Sequence, residues 1–105
     1  MIYIVELTYV RPLDEVMAQL DGHKQWLVSN VREGNVLVAG PLVSKTGGIV
    51  VATATSEEEL HAMMAQDSFV KEAVAEYRVL AFEPGLVGDL FPREWASQAK
   101  VIERQ

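Results

Sequence analysis

The chain has 105 residues, of which 50% are hydrophobic and 23% are charged, and it contains no cysteine. A chain of this length has room for one domain with one hydrophobic core. The absence of cysteine excludes disulfide bonds, thiolate zinc sites and cysteine nucleophiles. The formal net charge is -6 and the basic residues are scattered singly, so we do not expect a nucleic-acid partner.

Neither a membrane span nor a secretion signal is expected. No apolar run approaches the roughly 20 residues that a membrane helix requires. The first residues lack the basic and long apolar regions of a signal peptide, so we expect a cytoplasmic protein. With only two histidines, His23 and His61, we expect neither a dedicated metal site nor a bound cofactor.

The first part of the chain has the pattern of a strand followed by two helical segments. Residues 2–9 alternate and are rich in β-branched and aromatic side chains, which predicts a strand. The spacing of apolar residues predicts a short helical stretch over residues 13–19. The main helix is predicted over residues 21–33, with Asp21 as its N-cap and Gly34 placed to end it.

The remaining pattern predicts a hairpin, a helix and a last strand. Residues 35–42 and 48–54 form two strands joined by a turn that ends in glycine. Ser56 and Glu59 have the spacing of a capping box, in which each side chain accepts a backbone amide of the helix start. A further helical turn is expected over residues 69–74, and the last strand over residues 76–83.

This order predicts an α+β protein of ferredoxin-like β-α-β-β-α-β topology, with a four-stranded antiparallel sheet and both helices on one face. We assign residues 1–85 to this domain. Residues 86–105 form a C-terminal extension, in which residues 92–96 can open a final helix. The extension is expected to pack on the domain or on a dimer partner.

The two middle strands are apolar on both sides, which is unusual for an antiparallel sheet that faces water. Strand alternation places Val36 and Val38 on one face, and Leu37 and Ala39 on the other. Because two helices cover only one face, we expect a second copy to cover the other, giving a homodimer and a dimeric α+β barrel. The alternative is a monomer in which the extension folds back over the sheet.

Two polar side chains interrupt apolar helix faces. His23 continues the stripe that the main helix presents inward, made of Trp26, Leu27 and Val31. Asp67 continues the stripe of the next helix, made of Leu60, Met63 and Met64. The topology puts the start of the first helix and the end of the second at the same end of the sheet, so we expect His23 and Asp67 to meet.

A histidine paired with an aspartate suits general acid or base catalysis. The start of a helix disfavours the imidazolium of His23, while the Asp67 carboxylate favours it and can hold one tautomer. The competing interpretation is a structural pair that ties the two helices together. Tyr9, Arg11 and Ser68 are the candidate substrate-binding residues.

Four segments carry a family resemblance, in the right order from the first strand to about Pro84. They are His23 to Leu27, Gly34 to Pro41, Thr46 to Ile49, and Asp67-Ser68-Phe69. The chain resembles the YciI family (YCII-related domain). The resemblance implies a dimeric α+β barrel with a catalytic histidine and aspartate, which fall on His23 and Asp67. This chain differs from the family pattern at Ser68, where family members commonly have proline, and in its extension beyond Gly85.

Two functional hypotheses follow from these residues. The first is an enzyme of isomerase or lyase type, in which His23 moves a proton on a small organic anion and Asp67 orients the imidazole. The second is a non-catalytic, small-molecule-binding or stress-associated dimeric module that uses the same pocket. His61, beside Glu57 and Glu58 on a charged helix, is expected to be a solvated surface residue.

Overall fold

The computed structural model describes all residues 1–105 and has the predicted α+β architecture. The main domain consists of β1 (Ile2–Tyr9), α1 (Leu13–Met17), α2 (Leu20–Arg32), β2 (Val36–Pro41), β3 (Gly47–Thr53), α3 (Glu57–Met64), α4 (Ser68–Lys71) and β4 (Ala75–Phe82). The sheet order is β2-β3-β1-β4, and all neighbouring strands are antiparallel. This is the predicted ferredoxin-like order. None of the helices has the length and apolar character needed to span a membrane.

The core lies between the sheet and the helices. On β1 the alternate residues Tyr3, Val5 and Leu7 are buried, and α2 and α4 contact the sheet through β2 and β4. Leu60 and Met64 of α3 are fully buried in the same cluster. Alternate residues of a strand point to the same sheet face, so the face of β1 that carries Tyr3, Val5 and Leu7 is the one covered by the helices.

The helix ends follow local signals, with two differences from the prediction. Gly34 has φ +81° and ends α2, as predicted, because glycine adopts this conformation without a steric penalty. The helix begins at Leu20, and its N-cap, Gln19, makes no side-chain cap. Asp21 is therefore not the N-cap but lies in the first turn, since the chain passes directly from α1 into α2.

The start of α3 is capped on one side only. The backbone amide of Glu59 donates to the Ser56 hydroxyl at 3.1 Å, as predicted. The Glu59 carboxylate instead accepts a hydrogen bond from the Thr55 hydroxyl, so the capping box is not closed. Because α3 ends at Met64, Asp67 lies beyond the helix and not on its apolar face.

The buried face of α2 also differs from the predicted stripe. Asn30 is buried, whereas Val31 is 49% exposed. Asn30 lies one turn after Trp26, and its side-chain amide donates to the Trp26 carbonyl at 2.9 Å. This hydrogen bond offsets the cost of burying the amide, so the polar residue takes the inward position that was predicted for Val31.

A register shift in β2 reverses part of the predicted strand alternation. Val36 is opposite Ala52, and Val38 is opposite Val51, with the irregularity between the two valines. Val36 is buried and Val38 is 56% exposed, so they lie on opposite faces and the prediction of a shared face was wrong. An extra residue in one strand changes the face of everything after it.

The outer sheet face, on the side away from the helices, contains an apolar patch. We define it by Ile4, Val38, Val51, Leu80 and Phe82. Ile4 is directly opposite Val51 and Leu80 in the neighbouring strands, and opposite residues share a face. Val38, Leu80 and Phe82 are each about half exposed or more. Glu6 and Arg78 are opposite each other on the same face and form an ion pair, so the outer face combines an apolar patch with a charged pair.

The C-terminal extension forms a small unit of its own. It consists of β5 (Leu86–Gly88), a single 3-10 turn (Arg93–Trp95) where a final helix was predicted, and β6 (Lys100–Ile102), which is parallel to β5. Its hydrogen bonds and its one ion pair, between Arg104 and Asp89, join residues of the extension to one another or to Gly85. Packing of the extension on a dimer partner stays a prediction.

Candidate functional site

A pocket of about 330 Å³ lies between the helix side of the sheet and α2. Its walls are mainly apolar, with Leu20 and Leu27 from α2 and Leu7 and Ile49 from the sheet among them. β1 and β3 run close together here, because a Cβ atom on Gly47 would lie 1.8 Å from the Leu7 carbonyl oxygen. Glycine at this position therefore permits the strand spacing beside the pocket.

Three polar side chains line this pocket. They are Tyr9, His23 and Lys24. No carboxylate is among the lining residues. The polar residues beside a ligand in the pocket would therefore be a tyrosine, a histidine and a lysine, on otherwise apolar walls.

His23 and Asp67 meet at the end of the sheet where their elements come together. The distance between His23 Nδ1 and Asp67 Oδ1 is 2.7 Å. The side chain of His23 is 12% exposed and that of Asp67 is fully buried. Asp67 is also the N-cap of α4, since its Oδ1 accepts the Phe69 backbone amide at 3.1 Å. One carboxylate oxygen therefore positions both the imidazole and the start of α4.

The second oxygen of this carboxylate has no hydrogen-bond partner. Asp67 Oδ2 is buried and receives no donor from the chain. A buried acceptor without a donor costs free energy. The site therefore contains a local destabilisation, of the kind that occurs at functional sites more often than elsewhere.

Aromatic rings hold the imidazole of His23 in place. The Phe69 ring is nearly parallel to it, with an interplanar angle of 8° and centroids 3.9 Å apart. The Trp26 ring is 5.9 Å away, and its indole nitrogen donates to the Met63 carbonyl at 3.0 Å. The imidazole is thus restrained at its edge by Asp67 and on its face by Phe69.

This arrangement favours one tautomer of neutral His23. An ionised carboxylate only accepts hydrogen bonds, so the proton resides on Nδ1 when the ring is neutral. Nε2 then carries the lone pair, and it makes no hydrogen bond within the chain. Because His23 lines the pocket, the geometry suits Nε2 as a base toward a bound molecule.

The other predicted site residues have different positions. Tyr9 lines the pocket, and its ring edge packs on Phe69 with centroids 5.8 Å apart. Arg11 is exposed and pairs with Glu15 at 3.2 Å, outside the pocket lining. Ser68 is also outside the lining, and its hydroxyl donates to the Gln19 carbonyl at 2.8 Å. Substrate contacts by these three residues stay predictions.

Sequence reasoning missed Lys24 and the aromatic contacts of the imidazole. Lys24 can be found from helical spacing, since Leu20, His23, Lys24 and Leu27 fall at i, i+3, i+4 and i+7 and share one face. All four line the pocket. No local pattern signals the contact with Phe69, because it joins residues that are far apart in the sequence.

His61 has a partner although it lies at the surface. Its side chain is 48% exposed, and its Nε2 is 3.6 Å from a Glu57 oxygen. Its Nδ1 is 2.6 Å from the Tyr77 hydroxyl oxygen on β4. Burial raises the pKa of Tyr77 above 10.0, its ordinary value. The prediction of a surface residue is correct, but the imidazole is not free.

The sheet order, the helices on one face and the pocket beneath them define a ferredoxin-like α+β fold. The model of the family described as YCII-related domain matches residues 1–83. The chain therefore belongs to this family, which confirms the resemblance seen in the sequence. No curated protein sequence matches the chain.

Two solved structures have a similar fold. The first is 5-chloro-2-hydroxyhydroquinone dehydrochlorinase from Burkholderia phenoliruptrix AC1100, in complex with 2,5-dihydroxybenzoquinone. Its TM-score is 0.68 and its identity 22%, over 81% of this chain and 96% of that chain. The second is muconolactone isomerase, with a TM-score of 0.67 and 19% identity over 78% of this chain and 88% of that chain. At these identities the similarity establishes the fold.

Proposed function

We propose that this protein is a small-molecule enzyme in which His23 transfers a proton during an isomerisation or an elimination. The observation that carries the proposal is the pairing of His23 Nδ1 with a fully buried carboxylate. The second ring nitrogen, Nε2, has no hydrogen-bond partner in the chain. A base of this kind is held in one tautomer and one orientation before the substrate binds.

The size and walls of the pocket support a small cyclic substrate. A cavity of about 330 Å³ is near the lower end of the range for ligand pockets, which suits one ring with a few substituents. The first of the two similar structures contains a one-ring ligand, 2,5-dihydroxybenzoquinone. The names of the two enzymes describe loss of chlorine and isomerisation. We therefore propose an oxygenated one-ring anion as the substrate class.

The proton would move as follows. Nε2 of neutral His23 takes a proton from an acidic C–H or O–H group of the substrate, and the Asp67 carboxylate stabilises the resulting imidazolium. In an isomerisation the same Nε2 returns the proton to another atom of the substrate. In an elimination the released electron pair forms a double bond, the leaving group departs as an anion, and Nε2 later gives its proton to solvent.

His23→Gln tests this proposal, because glutamine keeps polarity but cannot act as a base. A panel of one-ring substrates, including muconolactone and chlorinated hydroxyhydroquinones, is followed by NMR for consumption and for deuterium uptake from solvent. We expect His23→Gln to lower the rate of a converted compound by at least about 100-fold. His61→Gln is the matched control and should keep the wild-type rate.

A full rate in His23→Gln would contradict the proposed role of His23. If the wild type binds members of the panel without converting or deuterating them, and His23→Gln binds them equally well, the non-catalytic binding module becomes the better explanation. Ligand affinity is therefore measured for both proteins beside turnover.

We also propose that the chain forms a homodimer through the outer sheet face. Val38 and Leu80 are 56% and 61% exposed on it, and apolar patches of this kind commonly mark interfaces. A buried charge within such an interface opposes association, so Leu80→Glu should give monomers in sedimentation velocity. Val28→Glu, on the exposed side of α2, is the control and should sediment like the wild type. A monomeric wild type would contradict the proposal.

A further inference from the structure

Lys24 differs from the other lysines and arginines of the chain because it lines the pocket. It forms no ion pair and no side-chain hydrogen bond within the chain. Arg11, Arg78 and Arg104 are each paired with a carboxylate. The Lys24 ammonium is therefore available to a ligand.

The position of Lys24 relates it directly to the proposed base. It follows His23 in the same turn of α2, and both residues line the pocket. The remaining pocket walls are mainly apolar and include no carboxylate. A ligand whose ring contacts the apolar walls and whose reacting atom faces His23 therefore has one cation within the pocket lining.

The charge of the whole protein makes this cation important for anions. The formal net charge is -6, which disfavours the approach of an anion at long range. At physiological ionic strength this field is screened over about 8 Å, so a cation at the edge of the pocket dominates at short distance. Lys24 is exposed and borders both the pocket and a surface groove shared with Val28 and Arg32. A local positive charge favours an anion over a neutral ligand, and Lys24 is the lysine or arginine that the lining supplies.

We propose that Lys24 is the specificity-determining residue of this pocket and that it binds the carboxylate or phenolate of a one-ring ligand. The inference rests on the proposed function in one respect, namely that the pocket is the ligand site. It does not depend on proton transfer by His23. Lys24 binds the anionic group, and His23 faces the ring.

The experiment compares two ligands that have nearly the same shape and different charge. Benzoate and benzamide are titrated into the protein, and binding is followed by the amide shifts of α2 in NMR spectra. We expect the wild type to bind benzoate about two- to fivefold more tightly than benzamide, the range of a partly exposed ion pair. In Lys24→Gln this preference should disappear while the affinity for benzamide stays the same.

Two variants serve as controls. Arg32→Gln removes the same charge from the same helix, eight residues or about 12 Å further along, and Arg32 also lacks an ion pair. It should keep the preference for benzoate, which separates a local contact from the field of the protein. Lys24→Arg keeps the charge and should retain most of the preference.

Three outcomes would overturn the inference. They are equal wild-type affinities for benzoate and benzamide, equal losses in Lys24→Gln and Arg32→Gln, and no binding of either compound. His23→Gln distinguishes this inference from the proposed function. If the preference for benzoate persists and turnover is unaffected by His23→Gln, the proposed function fails and the role of Lys24 stands. If turnover depends on His23 but benzoate is not preferred, only the inference fails.

Discussion

The two histidines of this chain each place Nδ1 next to an oxygen on a different element. His23 binds the carboxylate of Asp67 at 2.7 Å, and His61 is 2.6 Å from the hydroxyl of Tyr77. Their surroundings differ, since His23 lies under Trp26 and Phe69 at a pocket, whereas His61 is about half exposed and outside it. Similar hydrogen-bond distances thus occur in two very different environments.

The difference shows what makes an imidazole usable for chemistry. A carboxylate only accepts hydrogen bonds and holds one tautomer, whereas a phenol hydroxyl both donates and accepts and leaves either tautomer possible. Burial removes competing water from His23, and the aromatic contact restrains its ring. A hydrogen-bond partner is therefore not sufficient, and the acceptor type and the pocket separate the candidate site from a surface contact.

The largest expected effect is on stability, in Asp67→Ala. This change removes the N-cap of α4 and the buried partner of His23. We expect the free energy of unfolding to fall by about 1–3 kcal/mol, with the unpartnered Oδ2 of the native carboxylate limiting the loss. Urea denaturation followed by circular dichroism measures it.

Glu57→Ala is the matched control for the other histidine. Glu57 is exposed, and one of its carboxylate oxygens lies 3.6 Å from His61 Nε2. We therefore expect the free energy of unfolding to change by about 0.5 kcal/mol or less. Equal destabilisation by Glu57→Ala and Asp67→Ala would contradict the claim that burial makes the His23–Asp67 pair the more stabilising of the two.

The smallest expected effect is on the pH dependence of stability, through Tyr77, the hydrogen-bond partner of His61. Burial raises the pKa of Tyr77 in the folded protein above that in the unfolded chain. Below the unfolded value of about 10, tyrosine is neutral in both states and the stability is unaffected. As pH rises further, the unfolded chain loses this proton first, so stability is lost.

Tyr77→Phe isolates this contribution. The free energy of unfolding is measured for wild type and variant from neutral pH to above about pH 10, the ordinary tyrosine pKa. We expect the wild type to lose more stability than Tyr77→Phe over the alkaline part of the range. A difference between the two proteins that stays constant with pH would exclude a raised pKa for Tyr77, because the lost hydrogen bond to His61 alone gives a constant offset.

Local signals in the sequence were sufficient for several features. The amide of Glu59 bonds to Ser56 and Gly34 ends α2, because caps depend on the conformation of a few adjacent residues. The alternation of residues 2–9 was also sufficient to predict the strand β1. The shift between Val36 and Val38 was not predictable in this way, since a bulge depends on pairing with β3.

The candidate site was also predictable only in part, because local patterns do not show where the backbone changes direction. The topology brought His23 and Asp67 to the same end of the sheet, and the structure joins them across 44 positions of sequence. Asp67 was placed on a helix face, whereas it caps α4 beyond the end of α3. The helical spacing of Leu60, Met63, Met64 and Asp67 continues past the residue at which α3 ends. Periodicity alone therefore did not predict the end of α3 before Asp67.

The sequence by itself determined the order of strands and helices, because this order depends on side-chain period and local backbone preferences. Only the tertiary structure decided that Phe69 stacks on His23, that Lys24 lines the pocket and on which sheet face Val38 lies. These contacts join elements that are distant along the chain, and packing in three dimensions selects among the many pairs that local patterns allow.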